Sequence, residues 1–539
     1  MGHETLSPPK AGRAREARPG TGRGPGPGSG SGAGIALAAV LLTLLILPTA
    51  VTGAGVLLPH IGRDTHASLD ALQWVVHGYN LTFASFLLAG GSLADLIGRR
   101  RMFTAGAALF TAASAASALA TDVHLLDLAR GAAGIGAAAL LTSGSSILAT
   151  TFAGPARTRV FTAVGVATGG GLALGAMAAG VLADTLGWRS FYGVHALLML
   201  LVLLAVPYLR ESRGAAAAGV DWPGTVTFVS SLFLLMLGTV EGPQWGWGSP
   251  GVLGLLAGAV LLMVVFGLVE RRRPHPMFDL RLLRNARLMA LCLIPVVVTF
   301  AYVILLPLLP NYLLVANGSS SRAAGTTMLL MTLPILVTPV LAGKLIKRGL
   351  STRSVFALSP ACLTGGVAWL ATVLRPGVGP AELAGPLIVL GVGLGLNFGL
   401  VDGAVLTVVA PESTGAAAGF LNTLRLGSEA VAIAAAGSAL VNLAEHRLRD
   451  GLQRFPGYHG DSGTLANSLN AGDATGPAAT LPSELQPRFS AFLAHALTDA
   501  WRTVLLASAV ICALLSVAIY VMLAERHERS GRPDPASTP

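Results

Sequence analysis

Charged residues and cysteines are both scarce in this chain. Only 12% of its 539 residues are charged, whereas 53% are hydrophobic. This composition excludes an ordinary soluble domain. The three cysteines, Cys292, Cys362 and Cys512, fall within apolar runs without metal-ligand spacing, so we predict neither a metal site nor a disulfide framework. No G-x-x-x-x-G-K-[ST] stretch occurs, and the sequence therefore predicts no P-loop nucleotide site.

Long apolar runs fill most of the remaining sequence. Each has roughly 20 residues, enough for a helix to cross a bilayer core of about 30 Å. The sequence therefore predicts an all-α polytopic membrane protein. We expect fourteen spans, at residues 34–58, 74–94, 103–121, 125–152, 160–183, 190–209, 222–241, 249–269, 288–309, 325–346, 354–374, 382–403, 415–441 and 500–523.

The basic residues are distributed unevenly between the two sides of these spans. With the N-terminus placed in the cytoplasm, 25 of the 36 lysines and arginines fall in cytoplasmic segments or at their edges. Loops between spans follow the positive-inside rule, which favours both termini on the cytoplasmic side of the cell membrane. The net charge of +10 is then a topology signal, and we expect the lipid bilayer rather than a nucleic acid as partner.

The predicted spans divide the chain into successive segments. The long loop at 442–499 should lie outside the cell. We predict that it is flexible and that its flanking stretches are amphipathic. The predicted segments are a disordered cytoplasmic tail (1–33), an N-terminal six-helix bundle (34–209), two central linker helices with a basic cytoplasmic loop (210–287), a C-terminal six-helix bundle that includes the long loop (288–523), and a cytoplasmic tail (524–539).

One short loop carries more charge than topology requires. In the segment GGSLADLIGRRR, Gly91 and Gly98 permit a close turn, and Arg99 and Arg100 hold the loop inside. Asp95 is the exception, because an acid at a membrane helix end is costly unless it is paired. We predict that it bonds to arginines or to the N-terminus of a neighbouring helix, as a latch that breaks when helices separate. The alternative is a solvated interfacial acid.

A weaker copy of this pattern follows the tenth span. The segment AGKLIKRGLSTR at 342–353 also begins with a small residue and glycine and also carries basic residues near the predicted cytoplasmic face. Repeated halves are common in transporters.

Several segments together resemble the fourteen-helix drug:proton antiporter branch of the major facilitator superfamily. The latch segment is similar to the family's loop signature, ARGAAGIGAAAL resembles its fourth-helix motif, and GGGLALGAMAAGVLADTLGWRSF resembles its fifth-helix motif. The resemblance implies two six-helix bundles plus two extra central helices, with Gly171, Gly175 and Gly180 as a helix-packing motif. Four positions depart from the family pattern: Ala50 replaces the usual acid of span 1, Leu96 a basic residue of the loop signature, Ala133 the glutamine of the fourth-helix motif and Ala176 the proline of the fifth-helix motif.

The resemblance also implies a function. It indicates proton-coupled efflux of a small amphipathic drug or secondary metabolite by a monomeric antiporter without cofactors or catalytic residues. An importer or uniporter of the same fold is the main alternative. A membrane enzyme or a sensor is less favoured, since no cluster of catalytic acids and bases stands out.

Ionisable and polar residues within spans are the candidates for proton coupling or substrate binding, because an unpaired charge there costs about 2.5–3.5 kcal/mol on insertion scales. The resemblance links Arg130 to proton handling, and the alternative is an arginine that bonds backbone carbonyls. Arg425 and Glu429 are spaced so that their side chains can meet, either as a coupling site or as a structural pair. His77 and Asn80, one turn apart, either line the substrate path or form a satisfied buried pair.

Two further acids stand near span ends. Asp402 ends the twelfth span and Glu241 ends the seventh, and we interpret both as interfacial anchors.

Overall fold

The computed structural model describes residue 2 and residues 30–67, 69–213, 221–273, 276, 278–410 and 413–524. The predicted terminal tails lie almost wholly outside these residues. The α-helices are α1 Gly30–Thr65, α2 Leu69–Ile97, α3 Arg99–Ala118, α4 Val123–Thr151, α5 Gly154–Leu186, α6 Trp188–Ala205, α7 Trp222–Trp245, α8 Pro250–Arg272, α9 Ala286–Val298, α10 Leu305–Asn317, α11 Ser321–Lys347, α12 Thr352–Val373, α13 Pro380–Asn397, α14 Leu400–Val405, α15 Thr414–Gly451, α16 Ser462–Asn470, α17 Thr475–Ala479 and α18 Gln486–Ala524.

The helices agree with the predicted all-α membrane fold. Within the described ranges, thirteen helical segments are long and apolar enough to cross a membrane. Helix α3 corresponds to the one remaining predicted span, 103–121. It has 20 residues and is less apolar than the others because it starts with three arginines and is rich in alanine. Two spans are interrupted: a π-helical turn, Thr299–Val303, joins α9 to α10, and a break at Phe398 and Gly399 separates α13 from α14.

Two groups of helices each enclose an apolar core. Helices α1–α6, called the N-bundle here, surround one set of buried side chains that includes Leu44, Phe103 and Leu140. Helices α9–α15 and α18, the C-bundle, surround a second set that includes Leu291, Leu363 and Leu497. Helices α7 and α8 pack on each other, and α7 also contacts α2 and α15.

The most extensive contacts between the two bundles are those of α2 with α15 and of α5 with α11, and α5 also contacts α14. Glycines allow the closest approaches, because a Cβ atom at Gly91 would overlap the backbone of Gly415, and one at Gly165 would overlap that of Phe398. The end of the molecule at which α2 finishes and α15 begins is called the latch end below.

The segment 442–499 is more ordered than the sequence analysis expected. Helix α15 continues to Gly451, α16 and α17 follow, and α18 begins at Gln486. The prediction of a flexible loop is therefore wrong for most of this segment. Leu465 and Leu469 of α16 and Phe489 of α18 are fully buried, and this hydrophobic contact is what folds the segment against the C-bundle.

Candidate functional site

Asp95 joins the two bundles at the latch end. Its Oδ2 atom accepts hydrogen bonds from the backbone N–H groups of Gly415 at 2.8 Å and Ala416 at 3.2 Å. These N–H groups belong to the first turn of α15, where a helix leaves its donors unsatisfied and favours a negative charge. The carboxylate of the N-bundle therefore caps a helix of the C-bundle.

Arg99 completes this contact. Its guanidinium donates to Asp95 Oδ1 from Nη2 at 2.8 Å and from Nε at 3.1 Å, and Nη2 also donates to the Thr414 hydroxyl at 2.6 Å. Arg99 is only 1% exposed and Asp95 only 9% exposed, so the ion pair is shielded from solvent. Gly98, with φ of 112°, provides the turn that brings Arg99 to this position.

Arg100 has a different role from Arg99. Its backbone N–H, rather than its side chain, donates to Glu211 Oε1 at 3.0 Å. Sequence reasoning did not select Glu211, which lies after α6 and holds the start of α3 through the backbone. This hydrogen bond fixes the turn between α2 and α3 to the segment after α6, and it does not link the two bundles.

Arg130 is buried between helices of the N-bundle. Its Nε donates to the Val75 carbonyl and its Nη2 to the Ala50 carbonyl, both at 3.0 Å. The guanidinium carbon also lies 4.3 Å from the centroid of the Tyr79 ring and 5.6 Å from that of Tyr192. These contacts are those of the structural alternative, an arginine that bonds backbone carbonyls.

Arg425 does not pair with Glu429, and here the spacing argument is wrong. The Nη2 atom of Arg425 contacts both carboxylate oxygens of Asp402, at 3.1 and 3.2 Å, and Nη1 donates to Asn422 Oδ1 at 2.8 Å. Asp402 is therefore the partner of an intramembrane arginine and not an interfacial anchor. The break before α14, at Gly399 with φ of 77°, redirects Asp402 towards α15.

Glu429 is left without this neighbour. Within the described part of the chain it makes no hydrogen bond or ion pair, and its side chain is half-buried. His77 and Asn80 on α2 are also half-buried and also make no hydrogen bond to described residues. These three polar side chains therefore have no hydrogen-bond partner in the described part of the chain, and His77 and Asn80 do not form a buried pair.

The three glycines of the fifth-helix motif differ in how closely they approach α1. Cβ atoms at Gly171 and Gly175 would overlap the backbone of Leu45 and the side chain of Thr52, respectively. At Gly180 the nearest atom, Val56 Cγ1, would lie at an ordinary 3.8 Å. Two of the three positions are therefore places where helix packing excludes a side chain.

A buried histidine near this contact was not found from the sequence. His195 of α6 is 5% exposed, and its Nε2 lies 2.9 Å from the hydroxyl of Thr49 on α1. Its Nδ1 lies 2.7 Å from the Phe191 carbonyl, so both ring nitrogens have partners. The only signal in the sequence was a lone histidine in an apolar run.

Comparison with known proteins supports the arrangement of the bundles. The family model described as Major Facilitator Superfamily matches residues 40–433. Two solved structures share the fold: the human organic anion transporter MFSD10 (TETRAN), with a TM-score of 0.56 and 16% identity over 89% of this chain and 99% of that one, and the proton:xylose symporter XylE, with a TM-score of 0.50 and 15% identity over 82% of this chain and 93% of that one.

Curated relatives are more similar in sequence. Multidrug resistance protein Stp of Mycobacterium tuberculosis is 31% identical over 74% of each chain. Puromycin resistance protein pur8 of Streptomyces alboniger is 32% identical over 73% of this chain and 80% of its own. Cephamycin export protein CmcT of Amycolatopsis lactamdurans is 33% identical over 71% of this chain and 79% of its own. The chain thus belongs to the major facilitator superfamily, as a multi-pass, non-enzymatic membrane transporter related to antibiotic-resistance exporters.

Proposed function

We propose that this protein exports a small amphipathic drug or secondary metabolite across the cell membrane in exchange for protons. The observation that carries the proposal is the contact of Asp95 with the first turn of α15, because it links the two bundles by bonds that an opening movement must break. Three of the relatives are named for drug resistance or antibiotic export, which supports a substrate of this class.

The latch suits a protein that alternates between two states. Hydrogen bonds to charged groups contribute about 1.5–3 kcal/mol each, so the bonds of Asp95 to Gly415 and Ala416 favour the closed state by a few kcal/mol. This is small enough for substrate or proton binding to overcome. Arg99, bonded both to Asp95 and to Thr414, holds the carboxylate in place while the bundles are together.

Glu429 is our candidate for proton coupling. It faces no cation at ion-pairing distance among the described residues, because Arg425 is engaged by Asp402. An unpaired carboxylate within a membrane span is costly, and binding a proton or a cationic substrate removes that cost. The Asp402–Arg425 pair then acts as a fixed neutral unit beside it.

The packing of α2 on α15 supports a shared site. Gly91 contacts Gly415. Leu87, four residues earlier on α2, contacts Gly419, four residues later on α15. The two helices run antiparallel. If this register continues for ten residues beyond Leu87 and Gly419, His77 and Glu429 lie at the same depth in the membrane. We propose that these two residues and Asn80 provide the polar contacts of the substrate path.

An importer or uniporter of the same fold is the competing function. Everted membrane vesicles with an acidified lumen distinguish these functions, with puromycin and cephamycin, the drugs named in two of the relatives, as first substrates. An antiporter accumulates the drug in the lumen and partly dissipates the pH gradient. A uniporter only equilibrates the drug and leaves the gradient unchanged, whereas a symporting importer releases preloaded drug together with protons.

The Asp95→Asn variant provides the control for vesicle leakiness. If the pH gradient falls equally in vesicles that contain wild type and Asp95→Asn, the protein is not responsible. Drug accumulation that persists after an uncoupler collapses the pH gradient would contradict proton coupling.

A further inference from the structure

A large basic cavity lies at the latch end, away from the Asp95 contact. Its volume is about 1660 Å³, and it is bounded by α5, α9, α11, α12, α14 and α18. No aspartate or glutamate is present among the described residues that line it. Five arginines line it: Arg157, Arg281, Arg284, Arg287 and Arg353.

These arginines lack acidic partners. Within the described residues none of the five forms an ion pair. The Nε atom of Arg157 is buried without any hydrogen-bond partner, although Nη2 of the same side chain donates to the Leu406 carbonyl at 3.3 Å. Buried donors are normally satisfied, so the unpartnered Nε of Arg157, in a cavity whose described lining contains no acid, points to an anion as ligand.

The internal repeat explains why an anion is needed at this place. Gly91 of α2 lies opposite Gly415, in the first turn of α15, and Gly343 of α11 lies opposite the Thr162 side chain, two turns into α5. Asp95 stands four residues after Gly91, whereas Lys347 stands four residues after Gly343. The second half of the molecule therefore has a lysine where the first half has its capping carboxylate.

Among the described residues, the start of α5 shows no capping carboxylate. Its N-cap residue, Ala153, makes no side-chain hydrogen bond to the first turn, whereas Asp95 supplies one to α15. Gly154 and Arg157 of this first turn line the cavity. The first turn of α5, which carries the positive end of the helix dipole, and the arginines thus border one space.

We propose that this cavity binds the phosphate group of an acidic membrane phospholipid, which takes the place that a carboxylate occupies in the first half. The partly exposed apolar side chains of Ile346, Met522 and Leu523 also line the cavity, and Leu283, between two of its arginines, is 41% exposed. A basic rim above an apolar wall matches a lipid better than a soluble anion, because the acyl chains need apolar surface. The site is separate from the proposed substrate path and does not depend on what is transported.

The test uses the purified full-length protein and phosphatidylglycerol, with phosphatidylcholine as the uncharged comparison. Bound lipid is measured by native mass spectrometry, and lipid-dependent stability by thermal unfolding. In the Arg284→Gln/Arg287→Gln variant we expect at least about tenfold weaker phosphatidylglycerol binding. The matched control, Arg271→Gln/Arg272→Gln, removes two exposed arginines at the end of α8 and should bind as wild type.

A second variant tests the idea without removing an arginine. Lys347 is exposed, and Lys347→Asp introduces an acid at the position that corresponds to Asp95. It should lower phosphatidylglycerol binding because it replaces a positive charge next to the lining residue Ile346 with a negative one. Unchanged phosphatidylglycerol binding in Arg284→Gln/Arg287→Gln, or an equal loss in the control, would overturn the proposal. Displacement of the lipid by glycerol 3-phosphate would also overturn it, in favour of a soluble anion.

Discussion

Asp95 caps a helix that begins 319 positions further along the chain. Its Oδ2 atom lies 2.8 Å from the backbone nitrogen of Gly415, while the N-cap residue of α15 itself, Ser413, makes no side-chain hydrogen bond. The first turn of α15 is therefore capped by the other bundle. When the bundles separate, these N–H groups must find water instead, so the stability of one helix end is coupled to the closed state.

Replacement of Asp95 by asparagine should abolish transport while the protein still inserts and folds. The amide retains an oxygen acceptor but loses the charge that pairs with Arg99, so each bond at the latch weakens. We expect at least about a tenfold loss of drug efflux, measured in cells together with the amount of protein in the membrane.

Asp461 offers a matched control. It caps α16 through the N–H groups of Gly463 and Thr464, the same chemistry in the segment distant from the latch. Asp461→Asn should transport normally. The latch hypothesis is wrong if Asp95→Asn confers the same resistance as wild type.

The Gly91→Ala variant tests the closeness of the bundles rather than their charge. An added Cβ would overlap the carbonyl oxygen of Gly415, and overpacking of this kind typically costs about 1–3 kcal/mol. The closed state should lose stability, so cross-linking between cysteines placed on α2 and α15 near the latch should slow. Gly254→Ala on α8, where no atom lies within 4 Å, is the control and should cross-link at the normal rate.

The Glu429→Gln variant tests proton coupling. Glutamine resembles the protonated acid, so drug binding and exchange should persist while accumulation driven by a pH gradient is lost. The measurement is drug uptake in everted vesicles, with and without the gradient. Glu445→Gln, on the same helix but paired with Arg449, should leave accumulation unchanged. Wild-type accumulation with an unaltered pH profile in Glu429→Gln would show that this acid does not couple transport to protons.

Arg130→Lys keeps the charge but not the geometry. An ammonium cannot reproduce the planar guanidinium that bonds to the carbonyls of Val75 and Ala50 and faces Tyr79. We expect a loss of about 1–3 kcal/mol in stability, seen as a lower unfolding temperature of the purified protein. Arg375→Lys alters only an exposed ion pair with Glu382 and should unfold as wild type. Equal unfolding temperatures for the two variants would contradict the structural role.

The orientation of the chain remains a prediction from its arginines. In a background without Cys292, Cys362 and Cys512, single cysteines at Gly22 and Ser537 should be shielded from an impermeant thiol reagent in intact cells. A cysteine at Gly463 should react. Labelling at either terminus in sealed cells would contradict the prediction of fourteen spans with both termini inside.

Local sequence features predicted much of this molecule. The length of each apolar run gave the spans, and a single acid among glycines and arginines identified Asp95, although not its partner on α15. The spacing argument failed for Arg425 because it assumed that only its own helix competes for the side chain. Arg425 pairs instead with Asp402, 23 residues earlier in the chain. Asp402 faces α15 because the helix breaks before α14, and hydrophobic periodicity does not reveal that break. The order of 442–499 was missed for a similar reason, because Leu465 and Leu469 find their buried partners only in three dimensions.

The length of α15 gives the latch a mechanical consequence. The helix has 38 residues, which at 1.5 Å per residue is about 57 Å, nearly twice the thickness of a bilayer core. One end is held by Asp95, and the other carries the folded segment that contains α16. As a rigid lever, it converts a tilt of about 5° at the latch into a displacement of about 5 Å at its far tip. A fluorophore on α16 would therefore register the release of Asp95 from the opposite face of the membrane.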